Sequence, residues 1–345
     1  MCNIAGYVGK KEAMPILIEM MRREEGWDAG FFTGYATVSD GEMHTEKVIG
    51  SLDVLLQKTD AASAPGKIGF IHSRTPGKKT DTEGYAHPFV TGGERHAFVA
   101  NGFFGIFSEY HKGEKRERIY QDLKKSGAVF RSALKEDTPQ SFADGVRIHE
   151  TELLSQYCSS KIQGGADPVS ALEDAICTLP EEVVFLLLSL DAPDRIFWSK
   201  TSYPMFLGVA PHGTYLATTP QAIPEDADRI LYLDPMAGGE VFSDHFTTRP
   251  YKEPPAEIAP ITPSLWARAY QTCEEMVKAD KRRYPELEKA VRSLFPEGTL
   301  SAEAPVVYSI LNEWERSGKI RVRRGFVPGQ REGLEAPKFY AEWNE

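Results

Sequence analysis

Apolar and polar residues alternate in short blocks over residues 1–245, which predicts strands with a few amphipathic helices between them. The blocks that predict strands are 4–8, 34–38, 67–73, 96–100, 183–190, 195–198, 205–209, 214–217, 230–233 and 240–242. The blocks with helical spacing are 11–23, 150–161 and 167–178. Asn101-Gly102, directly after the strand at 96–100, is a turn signal. Strands interrupted by groups of helices predict layered sheets covered by helices, an α+β fold.

The pattern changes after residue 245. Prolines crowd the segment 246–263, which predicts a stiff linker. Beyond the linker, residues 264–280, 284–295 and 304–317 have helical spacing, and a hairpin is predicted from 319–324 and 338–341. Helices followed by a hairpin are the order of a winged-helix module. We therefore expect one domain over 1–245 and a small helical domain, of the winged-helix type, over 264–345.

Composition narrows the classes of function. The 345 residues include 40 lysines and arginines against 50 aspartates and glutamates, which excludes a uniformly basic nucleic-acid binder. The longest apolar runs are too short to cross a bilayer, and the N-terminus lacks the pattern of a secretory signal. The four cysteines form no CxxC pair, and the eight histidines show no metal-ligand spacing. The sequence predicts a reduced cytoplasmic protein without a metal or cofactor.

The residue at position 2 carries the most specific chemical signal. Removal of Met1 would leave Cys2 with a thiol and a free α-amine of pKa roughly 7.7–8.0 on the same residue. Such a residue combines a nucleophile with its own base, which is the principle of N-terminal nucleophile hydrolases. A cysteine at this position also occurs by chance, so the neighbouring motifs decide its meaning.

Several motifs occur in the order of a known family. They are Cys2-Asn-Ile-Ala-Gly-Tyr-Val-Gly, Gly69-Phe-Ile-His72-Ser-Arg74, Ala86-His87-Pro88, Phe98-Val-Ala-Asn101-Gly102, Glu150-Thr151-Glu152-Leu153-Leu154, and hairpin segments within 191–241. Together they resemble the class II glutamine amidotransferases, in particular the glutaminase domain of glucosamine-6-phosphate synthase. The resemblance covers residues 2–245 and implies a four-layer αββα sandwich.

The resemblance also implies a role for each matching residue. Cys2 would attack the side-chain amide of glutamine, forming a thioester and releasing ammonia. The side chain of Asn101 and the backbone N–H of Gly102 would stabilise the oxyanion. Substrate-binding roles would fall to four further residues: Arg74 on the α-carboxylate, Glu150 on the α-ammonium, His87, and a threonine of the loop after Arg74, either Thr75 or Thr80.

Each of these residues also has a structural interpretation that leaves its role open. The Asn101-Gly102 pair is typical of a plain hairpin turn. Arg74 could form an ion pair on the surface, and Glu150 could be an acid that stabilises a helix N-terminus. Two departures from the family pattern stand out. Asn3 replaces a glycine beside the nucleophile, and the loop after Arg74 reads Thr75-Pro76-Gly77-Lys78-Lys79-Thr80. The second departure leaves the identity of the amide substrate open.

Three functions are compatible with these residues. The first is a glutamine amidotransferase or glutaminase that passes ammonia to a separate synthase subunit or releases it. The second is an amidase acting on another γ-glutamyl or amide compound. The third is a non-catalytic metabolite sensor whose basic residues near 316–324 touch nucleic acid or a protein, although the nearly neutral C-terminal region argues against nucleic acid. Whether the chain forms a homo-oligomer stays open.

Overall fold

The computed structural model describes residues 1–77, 82–110, 113–136 and 138–344. The strands in chain order are β1 (Asn3–Gly9), β2 (Phe32–Ser39), β3 (Glu42–Ile49), β4 (Ile68–Arg74), β5 (Phe89–Thr91), β6 (His96–Phe103), β7 (Leu134–Lys135), β8 (Val146–Arg147), β9 (Glu182–Ser189), β10 (Ala192–Lys200), β11 (Phe206–Ala210), β12 (Gly213–Ala217), β13 (Ile230–Tyr232), β14 (Ala237–Val241), β15 (Arg249–Pro250), β16 (Ile320–Pro328) and β17 (Glu335–Trp343). The α-helices are α1 (Ala13–Glu24), α2 (Leu52–Lys58), α3 (Glu114–Lys125), α4 (Glu150–Gln163), α5 (Pro168–Thr178), α6 (Pro263–Ala279), α7 (Tyr284–Arg292) and α8 (Glu303–Arg316).

Two antiparallel sheets form the centre of the molecule. The first has seven strands in the order β13-β11-β12-β1-β4-β2-β3, and the second has six in the order β15-β14-β10-β9-β6-β5. Strand β1 is the middle strand of the first sheet, paired with β12 on one side and β4 on the other. Strand β6 pairs with β9 in the second sheet. Each sheet therefore holds one strand whose end carries a predicted catalytic residue.

The alternation of side chains along each strand produces the layers. On β1, Ile4 belongs to the apolar core between the two sheets, whereas Ala5 packs on the side of α1. On β9, Leu186 faces the core between the sheets and Leu187 faces the side of α4 and α5. Because both faces of the two sheets are covered, β9 reads as a continuous apolar run. The observed arrangement is helix, sheet, sheet, helix, as the resemblance implies.

The sequence pattern identifies most of the central elements but misses β3, β5, α2 and α3. Strand β3 lies at the edge of its sheet and carries charged residues along its length, as edge strands do. Helix α3 buries only Arg116, Tyr120 and Leu123, so it has too few apolar residues for the sequence pattern to predict a helix. The turn predicted at Asn101-Gly102 is wrong, because β6 continues through both residues to Phe103.

The C-terminal region has the predicted order, three helices followed by a hairpin formed by β16 and β17. Its assignment to the winged-helix class stays a prediction. Apolar residues of α8 and of α1 belong to one continuous core. Part of the predicted linker is structured, since β15 extends the six-stranded sheet and Tyr251 is buried in the core beneath α5. The domain boundaries themselves stay predictions.

Within the described part of the chain, no helix has both the length and the apolar character needed to span a membrane.

Candidate active site

A cavity of about 320 Å³ opens where the ends of β4 and β6 meet the start of β1 and of α4, a volume typical of small-molecule sites. Six of the seven residues predicted from the sequence line it, and the seventh, Asn101, contacts Cys2 directly. The lining residues are Cys2, Arg74, Thr75, Tyr85, His87, Ala100, Gly102, Phe103, Phe104, Gln140, Arg147, Ile148, His149, Glu150, Thr151 and Glu181.

Sheet register explains why the nucleophile and the arginine meet. Strands β1 and β4 are antiparallel neighbours, and Asn3 pairs with Ser73. Cys2, just before β1, therefore lies beside Arg74, the last residue of β4. The motifs at positions 2 and 74 are distant in sequence but adjacent across one pair of strands.

Asn101 holds the backbone next to the nucleophile. Its Oδ1 accepts a hydrogen bond from the backbone N–H of Cys2 at 3.2 Å. The side chain of Asn101 is buried, and its Nδ2 has no hydrogen-bond partner among the described residues. An unpaired buried donor costs free energy until an acceptor reaches it. The amide of Asn101 is thus available to an acceptor atom bound beside Cys2.

Gly102 follows on the same strand and lines the cavity. A Cβ at this position would lie 2.8 Å from Val183 Cγ2 of the neighbouring strand β9. A side chain here would therefore push against β9.

Arg74 is a cation without an anionic partner in the described structure. Its guanidinium lies 5.1 Å from the centre of the Phe32 ring and 5.9 Å from that of Tyr85. Its Nη1 is buried and makes no hydrogen bond, and burial lowers the pKa of Arg74. A buried, unpaired guanidinium is stabilised when a carboxylate binds it through two parallel hydrogen bonds. The surface ion-pair interpretation of Arg74 does not fit this environment.

Thr75 lies close to the nucleophile, with its Oγ1 3.9 Å from Cys2 Sγ. Thr80, the other candidate, lies outside the described residues, as do Lys78 and Lys79. Thr75 therefore has the position from which a hydroxyl could contact a substrate bound at Cys2.

The position of Glu150 is compatible with both interpretations, an acid at a helix N-terminus and a residue that binds substrate. It is the first residue of α4, where its negative charge interacts favourably with the helix dipole. It also lines the cavity. Its Oε1 accepts hydrogen bonds from Arg116, from Nε at 2.9 Å and from Nη2. Arg116 lies on α3, which the sequence pattern missed, and it offsets part of the negative charge of Glu150. Glu181 is a second buried carboxylate in the cavity wall.

His87 belongs to a group of three histidines behind the cavity. Its ring centre is 3.9 Å from that of His72 and 5.2 Å from that of His149. Burial lowers the pKa of His72 to about 3 and holds the pKa values of His87 and His149 well below their usual range. Neutral imidazoles therefore form this wall. Among the residues that the structure describes, no group of three histidine, cysteine or acidic side chains has the geometry to hold a metal ion.

The N-terminus is docked beside the site. The α-ammonium of Met1 pairs with Asp28, and the hydroxyl of Tyr284 donates to Met1 Sδ at 3.9 Å. Asp28 also contacts Lys338 Nζ at 3.4 Å. No local pattern singles out Asp28, because its contact with Lys338 depends on the distant strand β17.

Asn3 does not crowd the cavity, although the sequence suggested added bulk beside the nucleophile. Successive side chains of a strand point to opposite faces, and Ile4 lies between the sheets. Asn3 therefore points to the helix-covered face, is fully buried, and is absent from the cavity wall.

The basic residues near the C-terminal hairpin are largely engaged with neighbours. Arg321 and Arg323 both pair with Glu342, and Lys319 donates to the hydroxyl of Tyr270 at 2.7 Å. Glu342 thus offsets part of the positive charge on which a nucleic-acid interface would depend.

Comparison with known proteins gives relatives of the same name that match about 70% of this chain. The chain is 28% identical over 253 residues to a glutamine–fructose-6-phosphate aminotransferase (isomerizing) of Pyrococcus horikoshii, covering 72% of this chain and 38% of that protein. A protein of the same name from Pseudomonas aeruginosa is 27% identical over 237 residues, covering 68% and 34%. The chain thus spans little more than a third of the length of these relatives. No protein-family model matches it.

Solved structures show the same fold at lower sequence identity. The glutamine phosphoribosylpyrophosphate amidotransferase of B. subtilis, solved with ADP and GMP, superposes with a TM-score of 0.53 at 16% identity, covering 73% of this chain and 49% of that chain. A structure described as the allosteric regulatory enzyme of purine biosynthesis gives a TM-score of 0.54 at 15% identity, with the same coverage.

Proposed function

We propose that this chain, which belongs to the class II glutamine amidotransferase family, hydrolyses the side-chain amide of glutamine at Cys2. One observation carries the proposal. Arg74, whose buried Nη1 has no hydrogen-bond partner among the residues that the structure describes, lines the same cavity as Cys2, and the two residues lie at the ends of neighbouring strands. A nucleophile and an unpaired guanidinium in one small cavity fit an amino-acid amide with a free α-carboxylate.

The reaction begins with the removal of Met1, which leaves Cys2 as the first residue. Its α-amine takes the thiol proton, and the sulfur attacks the side-chain carbonyl carbon of glutamine. The carbonyl oxygen becomes an oxyanion, which accepts hydrogen bonds from Asn101 Nδ2 and the backbone N–H of Gly102. The α-ammonium returns the proton to the amide nitrogen, ammonia leaves, and a thioester remains. Water then attacks the thioester and releases glutamate.

The substrate head group is held by charged residues on the other side of the cavity. Arg74 binds the α-carboxylate with two parallel hydrogen bonds. The α-ammonium binds at the carboxylates of Glu150 and Glu181, with Glu150 oriented by Arg116. Thr75 contacts the substrate near the sulfur, and His87, neutral and buried, shapes the wall of the cavity.

The ammonia has two possible fates. The relatives named glutamine–fructose-6-phosphate aminotransferase extend well beyond the matched region. We propose that the ammonia is passed to an acceptor domain or an acceptor protein, or is released as the product. To test for an acceptor protein and for self-association, the chain is purified with and without added glutamine, and the mass of the purified species is measured.

A second candidate, hydrolysis of another γ-glutamyl compound, is favoured by the loop after Arg74. This loop, with Pro76 and Gly77 after Thr75, departs from the family pattern next to the nucleophile. The same head-group residues would bind such a compound. Comparison of glutamine with γ-glutamyl amides as substrates separates the two candidates by their kcat/KM values.

The test is release of glutamate from glutamine by the purified, matured chain. Cys2→Ala should reduce the rate to background, at least about 10³-fold, because the covalent step is lost. Cys177→Ala is the matched control, since Cys177 is a half-buried thiol outside the cavity, and it should retain wild-type activity. Glutamate release that survives in Cys2→Ala would contradict the proposal.

A further inference from the structure

We propose that the C-terminal hairpin is part of the glutamine site and that Gln330, in its turn, is a positioning residue for the loop over the nucleophile. This inference deepens the proposed function and rests on it. The hairpin lies outside residues 2–245, which carry the family motifs, so its contribution would be particular to chains that carry this C-terminal region.

The direct evidence is a reciprocal pair of hydrogen bonds. Gln330 Nε2 donates to the backbone carbonyl of Gly77 at 2.9 Å, and the backbone N–H of Gly77 donates to Gln330 Oε1 at 3.0 Å. One primary amide thus satisfies both the donor and the acceptor of a single loop residue. The two residues are separated by 253 positions in the sequence.

The base of the hairpin is packed tightly against the segment that precedes β2. The Phe339 ring lies edge-on to Trp27 with centres 5.6 Å apart. A Cβ at Gly26 would lie 2.3 Å from the Phe339 ring, so only glycine allows this approach. Gly30, with φ of +100°, approaches Pro337 in the same way. The hairpin is therefore fixed along strand β17, and its turn is held in place over the loop.

The same packing reaches the arginine of the site. Ala336 of β17 belongs to a buried cluster with Phe31, Phe32 and Ala86. The Phe32 ring lies under the Arg74 guanidinium at 5.1 Å. The hairpin therefore supports two neighbouring parts of the cavity. Strand β17 supports the residues beneath Arg74, and Gln330 supports the loop after Arg74.

The position of residues 75–77 matters because they carry a side chain close to the nucleophile. Thr75 Oγ1 lies 3.9 Å from Cys2 Sγ, and Gly77 follows only two residues later. A glycine in a loop has many accessible conformations, and ordering it on substrate binding costs conformational entropy. By fixing Gly77 beforehand, Gln330 lowers that cost, which strengthens substrate binding without changing the chemical step.

The test compares Gln330→Ala with Glu332→Ala, a control on the same turn whose side chain is exposed. Two readouts are taken on the full matured chain: kcat and KM for glutamine, and hydrogen exchange of the backbone amide of Gly77. In Gln330→Ala we expect KM to rise roughly fivefold to tenfold, from the loss of two hydrogen bonds, with kcat within about twofold. Gly77 exchange should accelerate, and Glu332→Ala should match wild type in both readouts.

The outcomes separate this inference from the proposed function. An active wild type whose KM is unchanged by Gln330→Ala would overturn the role of the hairpin and leave the glutaminase proposal intact. A rise in KM accompanied by unchanged Gly77 exchange would also overturn it, because the effect would not pass through the loop. A matured wild type that does not hydrolyse glutamine would contradict the proposed function itself.

Discussion

Three residues of the site carry polar atoms that the folded chain leaves unpaired. Nδ2 of Asn101, Nη1 of Arg74 and both ring nitrogens of His87 are buried with no hydrogen-bond partner among the described residues. Each such atom reduces the stability of the fold, since a buried polar group without a partner costs about 1–3 kcal/mol. Asn101 Nδ2 and Arg74 Nη1 belong to residues that lie next to Cys2, so a bound substrate could supply their missing partners.

Arg74 gives the clearest prediction at the scale of a residue. Arg74→Lys keeps the charge but loses the planar pair of donors, so we expect KM for glutamine to rise by about 10–100-fold with a smaller fall in kcat. The measurement is steady-state glutamate release. Arg147→Lys is the matched control, because Arg147 also lines the cavity but pairs with Glu136. Equal effects of the two substitutions on KM would contradict the assignment of Arg74.

Sequence motifs predicted the residues that we propose to touch the reacting atoms but not the residues that support them. The sequence alone reveals Cys2, Arg74 and Asn101, because each lies in a short motif and the motifs occur in the order of the family. Arg116 acts through Glu150, and Gln330 through Gly77. Such residues have no local signature, because their function depends on contacts between distant segments.

At the scale of an element, the end of β4 is fixed by a buried carboxylate. Glu25 Oε1 accepts hydrogen bonds from Ser73 Oγ at 2.7 Å, from the backbone N–H of Leu52 at 2.8 Å and from Thr33 Oγ1 at 3.2 Å. Ser73 immediately precedes Arg74. The carboxylate therefore joins β4, β2 and α2 at the point where the cavity begins.

This arrangement predicts a specific pH dependence of stability. Burial raises the pKa of Glu25 to about 7 in the folded chain, above its value of about 4.3 when unfolded. The stability that Glu25 contributes is therefore complete below about pH 4 and is lost as the pH rises through 7. Glu25→Gln stays neutral, so its free energy of unfolding relative to wild type should improve by on the order of 2 kcal/mol between pH 5 and pH 8.

Chemical denaturation at several pH values measures this difference. Glu42→Gln, at an exposed position at the start of β3, is the control and should follow the wild-type profile. Parallel profiles for Glu25→Gln and wild type would show that Glu25 is ionised in the folded chain at every pH tested.

The elements that the sequence revealed are those buried on a regular face. Strand β9 shows a continuous apolar run, and α1 shows apolar residues at helical spacing, so both are visible from pattern alone. Strand β3 is stabilised by its pairing with β2, and α3 by a few contacts that include Arg116. Because tertiary contacts stabilise these two elements, their own sequences indicate them only weakly.

At the scale of the whole molecule, the C-terminal region and the amidotransferase-like part share one core. Leu17 and Met21 of α1 belong to the same buried cluster as Val307 and Leu311 of α8. The sequence suggested two domains joined by a linker, because its composition and pattern change after residue 245. Such a change does not show whether the segments on either side of it pack against each other. The packing of α8 near α1 depends on distant residues that no local pattern connects.

We therefore expect the chain to unfold in one cooperative transition. Leu311→Ala removes a fully buried side chain and should lower the free energy of unfolding by about 2–5 kcal/mol, shifting the entire calorimetric transition. Val129→Ala, at a position that is 70% exposed, should leave the transition in place. Two separate transitions, of which Leu311→Ala moves only one, would show that the two parts unfold independently.

The central claim is that Cys2 becomes a nucleophile in a cavity shaped for glutamine. Intact-mass measurement before and after treatment with 6-diazo-5-oxo-norleucine, a glutamine analogue that alkylates such cysteines, tests it most directly. We predict loss of Met1 and a single adduct that is absent from Cys2→Ala and that glutamine prevents. A chain that has lost Met1 but gains no adduct, or that gains the same adduct in Cys2→Ala, would contradict the account.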